Sequence, residues 1–227
     1  MLFTKQMAAD NIRNREGRRV FYLDKADTLT SEAKDWLAAQ RIEILPASAA
    51  RQEQMALLTG GFVTEKPEHL THLNGDVLVS KMHPRIRFRG QVDRLEGELL
   101  LCGQEYPHLQ EELAEILCLT RHIVRCDVLE EPLTLHALCG LSQEEIRKQS
   151  HLPQKYFSVA HFMPDFQDKP VVLALNRVRC QSRETELAGL QAFSDREGNP
   201  TRTDILQALN RISSMLYILM LREKAKV

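Results

Sequence analysis

The feature that most restricts this chain is a set of apolar residues at helical spacing through its C-terminal two-thirds. Ile205, Leu209, Ile212, Leu216 and Leu219 fall at i, i+4, i+7, i+11 and i+14, one stripe on a helix expected over 204–224. Val92, Leu95 and Leu99 begin a similar stripe near residue 90, and Leu109, Leu113, Ile116, Leu117 and Thr120 continue the pattern, followed by Ile123 and Val124. A further helix is expected over 171–193, closed by the turn Gly198-Asn199-Pro200. Past the break at Pro132, residues 133–138 and 142–150 read as shorter helical pieces. Ser142 and Glu145 form a capping box that opens the second. Residues 151–170 carry Pro153, Pro164, Pro170 and several aromatics, and read as a loop. Four or five antiparallel helices make a bundle.

The first 45 residues read differently. A short strand is expected over 20–23, a helix from the N-cap Thr30 to about residue 39, and a second strand over 41–45. The expectation is therefore a mainly α protein. A small α/β unit covers 1–45, a partly helical linker 46–64, and a loop plus four- or five-helix bundle 65–227.

Composition excludes several classes. Thirty Lys+Arg against 31 Asp+Glu leave a net charge of −1, so a protein built to coat nucleic acid or an anionic membrane is not expected. No run approaches the ~18 apolar residues of a membrane helix, and the most apolar stretch, 215–221, ends in Arg222-Glu223-Lys224. Lys5, Asp10, Arg13 and Arg15 make the N-terminus unlike a signal peptide. The five cysteines are odd in number and lack CxxC spacing, so they are expected as reduced cytosolic thiols and not as disulfides or a zinc site.

Two helices carry polar stripes. Arg179, Arg183 and Glu186 share a face at i, i+4 and i+7, in line with Val172 and Leu190. This is either a solvated face with weak charge pairs or an anion clamp, because arginine matches phosphate oxygens bidentately. Asn210, Ser213, Ser214 and Tyr217 form the second stripe. Such residues suit helix interiors poorly and need partners when buried, either across helices or from a ligand. Upstream, 71–76 and 79–85 form a polar loop in which backbone amides and Lys81 could cradle phosphate. The chain lacks both a P-loop and a GxGxxG turn. His69 and His72 lack the surroundings of a metal motif. Arg85, Arg87 and Arg89 alternate like a strand or a helix entry and suit either solvation or triphosphate attraction.

The segments 65–73, 81–86 and 204–213, with 29–37 and 42–44 upstream, resemble the ethanolamine-utilisation corrinoid adenosyltransferases (EutT type) across nearly the whole chain. A looser similarity reaches the PduO-type ATP:cob(I)alamin adenosyltransferases. Their nucleotide loop is matched by Thr71, Gly75, Asp76, Lys81, Pro84 and Arg85 with one extra residue between Thr and Gly. Their first bundle helix carries an acid matched by Asp93. Their Arg-x3-Arg-x2-Glu helix is matched by Arg179, Arg183 and Glu186, and their Asn-Arg-x-Ser helix by Asn210, Arg211 and Ser213.

The resemblance implies attack of cob(I)alamin on C5′ of ATP with release of triphosphate, in a homo-oligomer (a trimer, or alternatively a dimer) with sites at subunit interfaces. It assigns Lys81 and Arg183 to the triphosphate, Thr71, Gly75 and Asp76 to loop contacts, and Asn210 to the adenosine. Asp93 and Arg179 would bridge subunits, and Glu186 would orient an arginine or meet Mg²⁺ or the nucleotide. Phe162, which precedes a proline nearby, is the candidate for facing the corrin. Arg85, Arg211 and Ser213 complete the expected nucleotide set. The protein itself shows no metal signature; Mg²⁺ would arrive with ATP. Expected partners are a corrinoid reductase, an adenosylcobalamin-dependent lyase such as ethanolamine ammonia-lyase, and microcompartment proteins, in the cytoplasm or a microcompartment.

One departure stands out. EutT-type enzymes of enteric bacteria carry a His-x11-Cys-Cys-x2-Cys motif just before the Lys-Pro segment, and residues 51–64 here hold no Cys and no His. His83 also stands where an acid is usual. The rival readings are a non-catalytic corrinoid or nucleotide carrier or regulator, and a plain interaction bundle that docks through residues 1–45.

Overall fold

The computed structural model describes residues 1–15, 18–47, 55–75 and 77–226. The chain divides into two units, Met1–Pro67 and Glu68–Val227.

In the first unit, β1 (Leu2–Phe3) pairs in parallel with β4 (Thr28–Leu29), and α1 (Lys5–Asp10) lies between them in sequence. β3 (Arg18–Leu23) takes β2 (Arg13–Arg15) antiparallel on one side and β5 (Glu43–Pro46) parallel on the other, in register Val20↔Glu43. The crossover to β5 is α2 (Ser31–Ala39), whose N-cap Thr30 accepts from the Ala33 amide at 3.2 Å. Phe21, Ala33, Leu37 and Ile42 close a small core. The sequence expectation for strand, helix and strand holds, with bounds displaced by one or two residues. The stretch expected as a partly helical linker instead contains a hairpin, β6 (Met55–Leu57) and β7 (Phe62–Val63). Gly60 and Gly61 turn it with φ of +97° and +88°, which glycine adopts at little cost. Residues 48–54 lie outside the described set.

The second unit opens with the hairpin β8 (Leu70–Asn74) and β9 (Val77–Ser80). Helix α3 (Pro84–Glu105) follows, earlier than the apolar stripe suggests, because Pro84 is pre-set for a first helical position and the His83 ring caps it. Helix α4 (Gln110–Leu129) turns back along α3. Residues 133–138, expected as a helical piece, form no helix and end in a tight hairpin of β10 (Ala137–Leu138) and β11 (Leu141–Ser142). Its turn holds Cys139 and Gly140 at positive φ. The capping box forms as expected and starts α5 (Gln143–His151). A short helix, α6 (Pro153–Phe157), sits inside the expected loop. Helices α7 (Pro170–Ala192) and α8 (Thr203–Ala225) complete the bundle.

One core joins Val92, Leu95 and Leu99 of α3, Ile116 and Ile123 of α4, Val172, Leu175 and Val178 of α7, and the whole predicted stripe of α8. Each such side chain contributes about 1.5–3 kcal/mol on burial. The apolar stretch 215–221 is thus the centre of the bundle, and no described helix is long and apolar enough to cross a membrane. Gly189 lets α7 and α8 approach: a Cβ there would lie 3.0 Å from Leu209 and 3.4 Å from Leu206 and Phe88. All five cysteines are free; burial pushes the Cys102 thiol up to about 11 and that of Cys139 to about 12, so both stay protonated and inert.

Candidate functional site

The polar stripes of α7 and α8 face one cavity of about 690 Å³. Asn176, Arg179, Cys180 and Arg183 line it from α7; Asn210, Ser213, Ser214 and Tyr217 line it from α8. The same i, i+3, i+4, i+7 spacing on both helices makes two matching polar walls. Ser150 and His151, at the end of α5, and residues 161–164 close the remaining sides. The size falls within the range of small-molecule and cofactor sites.

The walls are cationic and short of acids. Arg183 is exposed and makes no ion pair among the described residues. The Arg179 guanidinium lies over the Tyr217 ring, 5.3 Å from its centre, while its buried Nε has no hydrogen-bond partner among the described residues. Arg211, one position off the wall, gives Nη1 to Asn210 Oδ1 at 2.9 Å and also keeps a buried, unpartnered Nε. Burial and the neighbouring Arg147 lower the Arg211 pKa, and Glu186 opposes them. Asn210 in turn donates to Glu186 Oε1 at 3.2 Å, so Glu186, Asn210 and Arg211 form one chain of contacts. A buried N–H without an acceptor is costly in a folded protein, and the one on Arg179, on the wall of the cavity, suits an anionic or acceptor-rich ligand.

The aromatic segment is anchored on α8. Phe162 is half-buried and stacks near Tyr217 with ring centres 5.9 Å apart. Lys224 lies 4.4 Å from the centre of the Phe162 ring and pairs with Asp168. That ammonium holds the Asp168 carboxyl below the usual carboxylate range.

The structure thus brings Arg179, Arg183, Asn210, Ser213 and Phe162 together, with Glu186 and Arg211 joined to them through Asn210. It does not bring in the loop residues of the same chain. Thr71 sits in β8 opposite Val79, and Gly75 makes the hairpin turn at φ +45°. Lys81 is exposed, 3.9 Å from Glu68; Asp76 lies outside the described residues. Arg85 is committed elsewhere. Its Nε meets Asp127 Oδ1 at 2.8 Å, and its Nη2 donates to the Asp127 carbonyl at 2.6 Å. Arg89 takes the other oxygen, Oδ2, at 2.7 Å and donates to the Leu73 carbonyl at 2.7 Å, tying the hairpin to α3. Arg87 is exposed. Of the basic run, then, two residues hold the fold and one is solvated. Asp93 is exposed on α3 and forms no ion pair with Arg179 in the same chain. His83 Nδ1 accepts from the Arg85 amide at 3.2 Å, and burial together with Arg85 and Arg89 lowers its pKa, keeping the capping nitrogen free. No group of three or more His, Cys, Asp or Glu able to hold a metal occurs among the described residues.

Residues 62–223 match the sequence model of the family Cobalamin adenosyltransferase. The chain belongs to this family. The curated relatives include the protein named "Corrinoid adenosyltransferase EutT" from Salmonella typhimurium (strain LT2). It is 32% identical over 209 residues, which cover 92% of this chain and 78% of that one. The protein of the same name from Escherichia coli (strain K12) is 37% identical over 165 residues, covering 72% of this chain and 62% of that one. No solved structure matches the chain.

Within this adenosyltransferase family member, Asn176, Cys180, Ser214, Tyr217 and His161 also line the cavity, beyond the residues that the resemblance assigns. Tyr217 stands at i+7 from Asn210 in the polar stripe read from the sequence. His161 carries no periodicity signal at all, since it lies in the irregular segment before α7.

Proposed function

We propose that this family member is an ATP:cob(I)alamin adenosyltransferase. Cob(I)alamin attacks C5′ of ATP; the cobalt–carbon bond forms as the C5′–O bond breaks, and the electron pair leaves with triphosphate. Cobalt passes formally from Co(I) to Co(III). Because cobalamin supplies the nucleophile, the protein's task is alignment of the reacting atoms and stabilisation of the departing charge. The observation that carries this reading is the pair of facing polar walls, with Arg179 and Arg183, which no acid answers among the described residues.

Arg183 contributes charge to the triphosphate, and Asn210, held by Glu186, fixes the adenosine. Phe162 presents an apolar ring toward the corrin and, by excluding water and a lower axial ligand, favours the reduced cobalt. Thr71, Gly75, Asp76 and Lys81 act on the triphosphate of a neighbouring subunit's site, and Asp93 reaches Arg179 across that interface. The distribution of these residues over elements that do not line the cavity of their own chain supports a homo-oligomer with shared sites; the family resemblance favours a trimer, with a dimer as the alternative. Mg²⁺ travels with ATP. The product supplies an adenosylcobalamin-dependent lyase such as ethanolamine ammonia-lyase, in the cytoplasm or a microcompartment, with a corrinoid reductase as a further partner.

The test is an anaerobic assay with ATP, Mg²⁺ and chemically reduced cob(I)alamin, followed by the spectral change to adenosylcobalamin. It is run with and without chelation of transition metals, beside Arg183→Ala. Formation that survives chelation once Mg²⁺ is restored, and falls at least a hundredfold in the variant, is the expected result. Binding of ATP and corrinoid without transfer would instead identify a carrier or regulator.

A further inference from the structure

Tyr217 stands where three parts of the cavity meet. Its hydroxyl lies 3.2 Å from His161 Nδ1. The other nitrogen of that ring, Nε2, is 3.1 Å from the His151 carbonyl at the end of α5. A carbonyl accepts only, so His161 Nε2 donates to it, and Nδ1 is left to bond the Tyr217 hydroxyl. The His161 ring also lies nearly parallel to that of Tyr217, 6° apart with centres at 6.0 Å, and Phe162 stacks near the same ring. The guanidinium of Arg179 rests over it too, with no hydrogen bond from its side chain to any described residue. One α8 side chain therefore touches both the irregular segment that closes the cavity and the arginine of the opposite wall.

We propose that Tyr217 is a positioning residue with two separable actions: its hydroxyl, through His161, holds the segment 158–169 closed on the cavity, and its ring aims Arg179. This rests on the adenosyl transfer proposed above. The hydroxyl governs how well the corrinoid is retained, because the segment it holds carries Phe162. The ring governs the chemical step, because a guanidinium without hydrogen bonds keeps its aim only by the face it stacks on.

Two substitutions divide these actions. Tyr217→Phe keeps the ring and is expected to raise KM for cob(I)alamin about fivefold, the size of one neutral hydrogen bond, with kcat and KM for ATP within about twofold. Tyr217→Leu is expected to add a fall of about tenfold in kcat. His161→Ala, which also removes the bond to the His151 carbonyl and the ring stack, should raise KM for cob(I)alamin at least as much as Tyr217→Phe, and the double variant should be no worse than His161→Ala alone, because the Tyr217–His161 bond is already lost there. Additive effects, or an unchanged KM in Tyr217→Phe, would overturn the proposal. Hydrogen exchange over 158–169 is measured on the same full-length proteins. Faster exchange there alone in Tyr217→Phe and His161→Ala supports the hold on the segment, and unchanged exchange overturns it. If the wild type forms no adenosylcobalamin, the catalytic reading fails by itself, and exchange still decides whether Tyr217 holds the segment.

Discussion

The pattern Arg-x3-Arg occurs on α3 as Arg85 and Arg89 and on α7 as Arg179 and Arg183, and these two pairs have opposite surroundings. Arg85 and Arg89 converge on Asp127, which is fully buried, and their remaining N–H groups find carbonyls of α4 and β8. Arg179 and Arg183 meet no carboxylate among the described residues and face a cavity. Spacing is identical, and local helix propensity is the same. What separates a structural pair from a ligand-facing one is whether a distant acid has been supplied. The cavity of about 660 Å³ beside Arg85 makes the same point, since its other arginine, Arg202, is paired with Asp204.

The sharpest way to break this contrast is to remove the acid. Asp127→Ala leaves two partly buried guanidinium groups uncompensated, and a loss of about 3–5 kcal/mol in denaturant unfolding is expected. A loss below about 1 kcal/mol would show that the α3 pair is no more structural than the α7 pair. Arg183→Ala should behave in the opposite way. Adenosyl transfer falls at least a hundredfold, about 2.7 kcal/mol of transition-state stabilisation, while unfolding shifts by no more than about 0.5 kcal/mol, because the side chain is exposed and pairs with no acid among the described residues.

Acid titration probes paired groups throughout the bundle. Burial pushes the Asp204 carboxyl up, but hydrogen bonds from Arg202, the Leu133 amide and the Ile205 amide outweigh this and hold it at about 2. Asp168 is also depressed. Folded pKa values below the unfolded ones give stability that is complete above about pH 4 and drains away as the pH falls from about 4 toward 2. His83 adds a shallower step with the same sign. Its folded pKa lies below the ordinary 6.5, so its contribution is complete above that pH and declines below it. A melting temperature flat from pH 7 to pH 3 would contradict all three. The smallest effect expected is that of Ser142→Ala, which opens the capping box of α5 and costs about 1 kcal/mol.

The bundle was legible wherever periodicity and capping agreed. The stripes of α3, α4, α7 and α8, the Ser142 box and the Thr30 cap all appear as read. Residues 133–138 did not, because Leu133, Leu135 and Leu138 fit a short extended run as well as a helix turn, and Leu133 is held by a bond from its amide to Asp204, far along the chain. The hairpin at Gly60-Gly61 had a usable signal in its two glycines, but its strands are only three and two residues long. The polar walls were legible as stripes. Their convergence was not, since it depends on how α7 and α8 pack. Nor could Arg85 be separated from Arg183 by pattern: its partner Asp127 is 42 residues away and lies on an otherwise uncharged buried helix face.

Gly189 gives the close contact of α7 with α8 a remote handle. A methyl group there would press on Leu209 at 3.0 Å, and the next residue along α8 is Asn210. Neighbours would have to yield by a few tenths of an ångström, a displacement passed along a stiff rod to the wall it carries. The spacing of the two walls is thus a quantity that evolution or a protein engineer can tune from outside the cavity, by the volume of one side chain, without altering any group that meets the substrate.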